Sequence, residues 1–245
     1  MKLNFGIAVA SNRQLAELPV AGKFDFLELP SVSRIQPDFI LPQAWKRRFM
    51  RVSCRAETRT LGVLIDAGSS MTKEFYRVFS AGCTEFAKLG AKEISLGIDW
   101  ENVFNDEKFS ASLSDILRCC YGIIYRNTLI PVIELRVPGI AAGNIERFLR
   151  FRNRLLIPAR TLVDLHPHEP GALELFERFA AEAPFECSRV RVSFDAAGGN
   201  YLTAKLLEKI ISGIHRVGAE TPDICFYPGR TADRAVFAAL ETVIS

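Results

Sequence analysis

Two of the three histidines in this chain lie two residues apart in Thr161-Leu-Val-Asp-Leu-His-Pro-His-Glu169, in step with an aspartate. Extended backbone sends alternate side chains to opposite faces. Val163 and Leu165 therefore share one face, and Asp164, His166 and His168 share the other. Carboxylate and imidazole together are the donor set that Mn²⁺, Mg²⁺ or Zn²⁺ takes. More carboxylates close other alternating apolar stretches: Glu28, Asp66, Asp99, Glu134 and Asp195. Gathered in one place they would repel unless some were protonated or a cation joined them.

The elements that must position these groups follow from periodicity. Strands are predicted at 3–9, 24–29, 60–66, 93–99, 129–136, 161–168, 189–195 and 223–227, each alternating or continuously apolar. Helical spacing follows most of them. The clearest case is Phe75, Val78, Phe79, Gly82, Phe86 and Leu89, closed by Gly90. A basic helix is expected around 43–52, a loop at 100–107, a second basic helix at 144–155, and a last helix capped by Thr231. Eight strand-then-helix units in 245 residues predict an α/β fold, a single (β/α)8 TIM barrel over residues 1–245. The competing open doubly wound sheet would carry a Gly-rich nucleotide loop after its first strand, and Ala10-Ser11-Asn12 is no such loop.

In a barrel the outer face of each strand lies under helices and must be apolar, so the opposite parity points inward. Ile94, Leu96 and Ile98, then Ile133 and Leu135, Val163 and Leu165, and Val190, Val192 and Phe194 take the outer face. The inward sets are Ser95, Gly97, Asp99; Val132, Glu134, Arg136; Asp164, His166, His168; and Arg191, Ser193, Asp195, with Glu28, Asp66 and Tyr227 near other strand ends. The polar groups fall late in their strands, at the C-terminal mouth where barrels of this kind keep their chemistry. Any one of these carboxylates could instead cap a helix or pair with Arg136, Arg191 or Arg230. Arg230 and the Gly198-Gly199 and Gly229 turns are also placed to meet an anionic group.

Composition excludes several classes. A net charge of +3 and a quarter of residues charged give no footprint for nucleic acid, despite the local run Lys46-Arg47-Arg48. The N-terminal ten residues alternate like a strand and lack a signal peptide's apolar region, and no apolar run approaches the roughly 20 residues that span a bilayer. The six cysteines lack CxxC spacing and read as free thiols of a reducing, cytoplasmic protein.

Lys23-Phe-Asp-Phe-Leu-Glu-Leu29, Phe86-Ala-Lys-Leu-Gly-Ala-Lys-Glu-Ile94 and the acidic ends of strands five to seven resemble the xylose-isomerase-like TIM barrels. That superfamily holds sugar isomerases and epimerases together with endonuclease IV. The resemblance implies a divalent cation held by Glu134, by Asp164 with His166 or His168, and by Asp195. Glu134-Leu-Arg136 is similar to a Glu-x-Lys motif of the sugar isomerases, with arginine in place of lysine. The fourth family position, a glutamate on strand eight, is missing, because that strand offers Cys225, Phe226 and Tyr227.

The function expected on this basis is a metal-dependent sugar or sugar-phosphate isomerase/epimerase-like enzyme that moves a proton at a carbon next to a carbonyl. Glu134 and Arg136 are its catalytic candidates. Glu134, Asp164, His166 and Asp195 are the metal ligands, and Glu28, Asp66, Asp99, His168, Tyr227 and Arg230 line the substrate. The partner is a small carbohydrate or sugar phosphate, with a homodimer among the assemblies allowed. The alternative is a degenerate, non-catalytic barrel that binds a small sugar-like or anionic ligand or a protein.

Overall fold

A computed structural model describes residues 3–9, 11–18, 22–31, 51–57, 69–88, 90–98, 100–137, 144–182, 187–196, 198–216 and 223–244. Its strands are β1 (Phe5–Ala8), β2 (Phe26–Ser31), β3 (Arg51–Glu57), β4 (Ala91–Gly97), β5 (Ile130–Val137), β6 (Arg160–Leu165), β7 (Cys187–Ser193) and β8 (Asp223–Tyr227). They pair in chain order, all parallel, and β8 returns to β1, so the sheet curls into a closed ring. The helices are α1 (Asn12–Glu17), α2 (Ser69–Lys88), α3 (Trp100–Asn105), α4 (Glu107–Arg126), α5 (Ile145–Leu155), α6 (Ala172–Glu182), α7 (Ala204–Arg216) and α8 (Arg234–Val243). Among the described residues a helix follows each of β1 and β3 to β8, and the connection from β2 to β3 lies outside them.

Three local expectations are corrected. The third strand is Arg51–Glu57, hydrogen-bonded between β2 and β4, so Arg51 and Val52 extend a strand and do not close a helix. The stretch 60–66 expected in that place, and with it Asp66, lies outside the described residues, as do Asp99 and Lys46-Arg47-Arg48. Residues 100–105 form a short helix instead of a loop. The reason is Trp100, whose indole packs edge-on to Phe148 and Phe151 and donates Nε1–H to the Glu134 carbonyl at 2.8 Å. Finally, Asp233 caps α8 in place of Thr231, its carboxylate accepting from the N–H groups of Ala235 and Val236.

Parity sorts the core into two parts. Ile94, Leu96, Ile133, Leu135, Val163, Leu165, Val190 and Val192 join one large apolar shell between sheet and helices. Inside the ring lies a small separate cluster, Ala8, Phe26 and Cys225, with Tyr227 packed against it. The Phe26 ring fills the space beside Gly6, where a Cβ would lie 2.2 Å from it, so any larger residue there must displace the ring. Among the described residues the other inward positions mix buried Val132, Leu162, Ser95 and Ser193 with a set of charged side chains.

Candidate functional site

Register places the charged interior groups in stacked rows. Asp164 of β6 faces Arg136 of β5 on one side and Arg191 of β7 on the other, while Glu134 lies level with Gly97 and Glu28 with Ala8. All inward groups described on β2 and on β4 to β7 are thus on neighbouring levels of one ring. Glu28, Glu93, Glu134 and Asp164 are buried, and so are Arg189 and Arg191.

The two β7 arginines organise this interior. Arg191, 1% exposed, directs Nη2 at Glu28 Oε1 (2.6 Å) and Glu134 Oε1 (2.9 Å), with Nη1 3.7 Å from Asp164 Oδ2. One level nearer the strands' N-terminal ends, Arg189 pairs with Glu93, reaches Glu28 Oε2 at 3.4 Å and lies over the Phe26 ring at 4.7 Å. Arg160 adds a second cation to Glu93 at 3.0 Å. The Ser193 hydroxyl donates to Asp164 Oδ1 at 2.5 Å. Burial alone depresses the Arg191 pKa, but Glu134, Glu28 and Asp164 outweigh it and hold the guanidinium well above its ordinary range. The same balance, with Glu93 and Glu28 as partners, raises Arg189.

Above this layer is the mouth. His166, a quarter exposed, stands between two carboxylates, with Nε2 3.4 Å from Asp164 Oδ2 and Nδ1 3.4 Å from Glu169 Oε1. Arg136, about half exposed, donates from Nη2 to the same Glu169 oxygen at 3.0 Å. Tyr227 is half-buried at the end of β8, and Arg230 and His168 are exposed in the following turns. Asp195 is exposed in the turn after β7, with its side chain against Gly198 and Gly229; a Cβ at 198 would come within 2.9 Å of its Oδ2.

Of the expected residues, the structure therefore brings Glu28, Glu134 and Asp164 together around Arg191, and joins His166 to Asp164. Asp195, His168 and Arg230 stand at the rim. The expected inward sets omit Arg189, Glu93 and Glu169. The first two share the parity of Arg191 and Ser95, so the alternation carried the signal; Glu169 is a turn residue that no periodicity marks.

A divalent ion does not fit this donor set. The point between the Glu28, Glu134 and Asp164 carboxylates is taken by the Arg191 guanidinium, and Asp164 Oδ1 is taken by Ser193. Among the described residues no group of three or more His, Cys, Asp or Glu is arranged to hold a metal ion.

A closed parallel ring, helices outside and polar groups at the C-terminal ends of the strands define an α/β barrel fold, which solved structures of several enzymes share. The solved structures it resembles include D-psicose 3-epimerase from Clostridium cellulolyticum H10 in complex with D-tagatose (TM-score 0.68, 10% identity, 99% of this chain and 97% of that one). They also include the probable 3-DHS dehydratase AsbF from Bacillus anthracis (0.63, 10%, 99% and 98%) and a family 2 AP endonuclease from Brucella melitensis (0.60, 13%, 98% and 98%). At such identities the likeness is one of fold. No family model matches the chain, and no curated protein matches its sequence. Among the described residues no helix is long and apolar enough to cross a membrane.

Proposed function

We propose that the whole chain is one (β/α)8 TIM barrel of the sugar isomerase/epimerase type, which takes a small carbohydrate or sugar phosphate at its C-terminal mouth. Its reaction is proton transfer at a carbon next to a carbonyl. The observation that carries this reading is the position of His166, open to the mouth and within 3.4 Å of a carboxylate at each ring nitrogen. With Nε2 oriented by Asp164 and Nδ1 freed when substrate displaces Glu169, the imidazole can take a carbon-bound proton and return it. Arg136, tied to Glu169, supplies the fixed positive charge for the oxygen that becomes an enediolate, or for a substrate phosphate. Epimerisation needs acid/base groups on both faces of the carbon, and β8 offers none at the mouth, since its one carboxylate, Asp223, opens the strand at the N-terminal end and accepts from Asn4. A proton shift between neighbouring carbons, served by His166 alone, therefore fits better. The metal-dependent version of this chemistry is not part of the proposal, because the carboxylates it would use are engaged. Glu134 and Glu28 hold Arg191, and Asp195, Tyr227, His168 and Arg230 are left to shape the rim. Similarity in fold to a sugar epimerase supports the choice of substrate class.

The clamp of Arg191 on Glu28, Glu134 and Asp164 favours a second reading, a barrel that binds such a ligand without turning it over. One experiment separates the two. Aldoses and ketoses of five and six carbons, free and phosphorylated, are incubated with the protein in D2O, and the carbon-bound proton next to the carbonyl is followed by NMR. Exchange that disappears in His166→Gln is the expected result. A rise in thermal midpoint without exchange establishes the binding reading. Neither exchange nor binding across the panel rejects both.

A further inference from the structure

We propose that Arg191 is the resident cation of this barrel, standing where a divalent metal would sit, so that the chain holds no such ion and acquires the capacity to do so only when Arg191 is removed. The inference concerns the interior and does not depend on which reaction, if any, the mouth performs.

Three carboxylates from three strands converge on a single guanidinium: Glu28 from β2, Glu134 from β5 and Asp164 from β6. Convergent carboxylates are what a divalent ion needs, and their mutual repulsion demands a cation of some kind. Here Nη2 lies 2.6 Å from one carboxylate oxygen and 2.9 Å from another. Mn²⁺ or Mg²⁺ would require oxygens at roughly 2.0–2.2 Å, and so would have to occupy the place of that nitrogen. The arginine cannot yield it by losing a proton, since the same carboxylates hold it charged. Nor can it swing away easily, being fully enclosed.

The neighbouring groups lock the arrangement. Glu28 spends its other oxygen on Arg189, and Asp164 spends one on the Ser193 hydroxyl. The imidazole nearest the cluster is His166, whose Nε2 already faces Asp164. A guanidinium also differs from a metal in what it offers a ligand, having N–H donors of fixed direction and no open coordination position. Arg191 Nε and Nη1 have no hydrogen-bond partner among the described residues, so the cation retains donors for a water or ligand oxygen.

The test uses the full chain purified without chelator. Metal analysis should find less than about a tenth of an equivalent of Mn, Mg or Zn, and adding Mn²⁺ should leave the thermal midpoint unchanged. In Arg191→Ala the three carboxylates face an empty space. That variant should melt lower than wild type, bind Mn²⁺ near one equivalent by calorimetry, and recover midpoint with either Mn²⁺ or guanidinium ion. Arg191→Lys, which keeps a cation, should fold and bind no Mn²⁺. Stoichiometric Mn²⁺ in the wild type or in Arg191→Lys overturns the proposal, as does a folded Arg191→Ala that responds to neither cation. If Arg191→Ala does not fold, the wild type and Arg191→Lys decide the matter by the same criterion.

Discussion

Arg191 of β7 and Glu134 of β5 meet across the inside of the ring, Nη2 to Oε1 at 2.9 Å, two strands apart and both almost wholly removed from water. Charges so placed are expensive to bury and more expensive to separate. Glu134→Ala would leave the guanidinium short of one of its three partners and should cost about 3–5 kcal/mol of unfolding free energy. Glu134→Gln keeps an acceptor oxygen and should cost less. Urea denaturation of the three proteins checks the order, and equal stabilities would show that the pair contributes nothing.

Gly6→Ala tests the packing beneath this network. The new methyl group would collide with the Phe26 ring, itself held by Arg189 on its face. An overpacking loss of about 1–3 kcal/mol is expected. Gly6→Ala combined with Phe26→Leu should lose less than the two single changes added, since the clash disappears with the ring.

Thiol chemistry should be selective. Cys119 is exposed, whereas Cys83 and Cys120 are buried on α2 and α4, and burial pushes the Cys83 thiol from 9.0 up to about 12. Alkylation at pH 8 followed by peptide mapping should label Cys119 and spare Cys83 and Cys120 until the protein unfolds. The sign for stability follows. A thiol whose folded pKa is raised contributes fully below the unfolded value near 9, and its contribution fades as pH rises from 9 toward about 12. Cys83→Ala should flatten that alkaline decline.

Arg136 should matter to ligand and little to fold. Its pair with Glu169 is about half exposed, so Arg136→Ala should change stability by less than about 1 kcal/mol. If it anchors an anionic group, the same change should weaken binding of a phosphorylated sugar by about tenfold and leave the unphosphorylated parent much less affected. Equal losses for both ligands would remove Arg136 from the proposed site.

Trp100 offers a readout of the same region from the back of β5. Its indole N–H is bonded to the Glu134 carbonyl, so Trp100→Phe should leave that buried acceptor without this donor and lose about 1–3 kcal/mol. A loss much smaller than that in thermal or urea unfolding would mean that another donor replaces the indole.

Much of the arrangement was legible in the order of residue types. Alternation alone separates Ile133 and Leu135 from Glu134, and Val190 and Val192 from Arg191, because a strand has only two faces and the outer one must meet helices. Strand three was not legible, since Val52, Cys54 and Ala56 alternate no better than other stretches of the chain, and it is pairing with β2 and β4 that makes Arg51–Glu57 a strand. The helix at Trp100 was hidden for a related reason: its anchor, the Glu134 carbonyl, is distant in sequence.

The sequence by itself determined that acidic groups on β2, β5 and β6 point into a barrel and that either protonation or a joining cation must relieve their repulsion. Only the tertiary structure decided which one. A metal and an arginine satisfy the same charge balance, and alternation says which face a side chain takes without saying how far it reaches. Glu28 and Arg191 are joined because ring closure through β8 and β1 brings β7 within three strands of β2, and that distance across the interior is written in no local stretch of the chain.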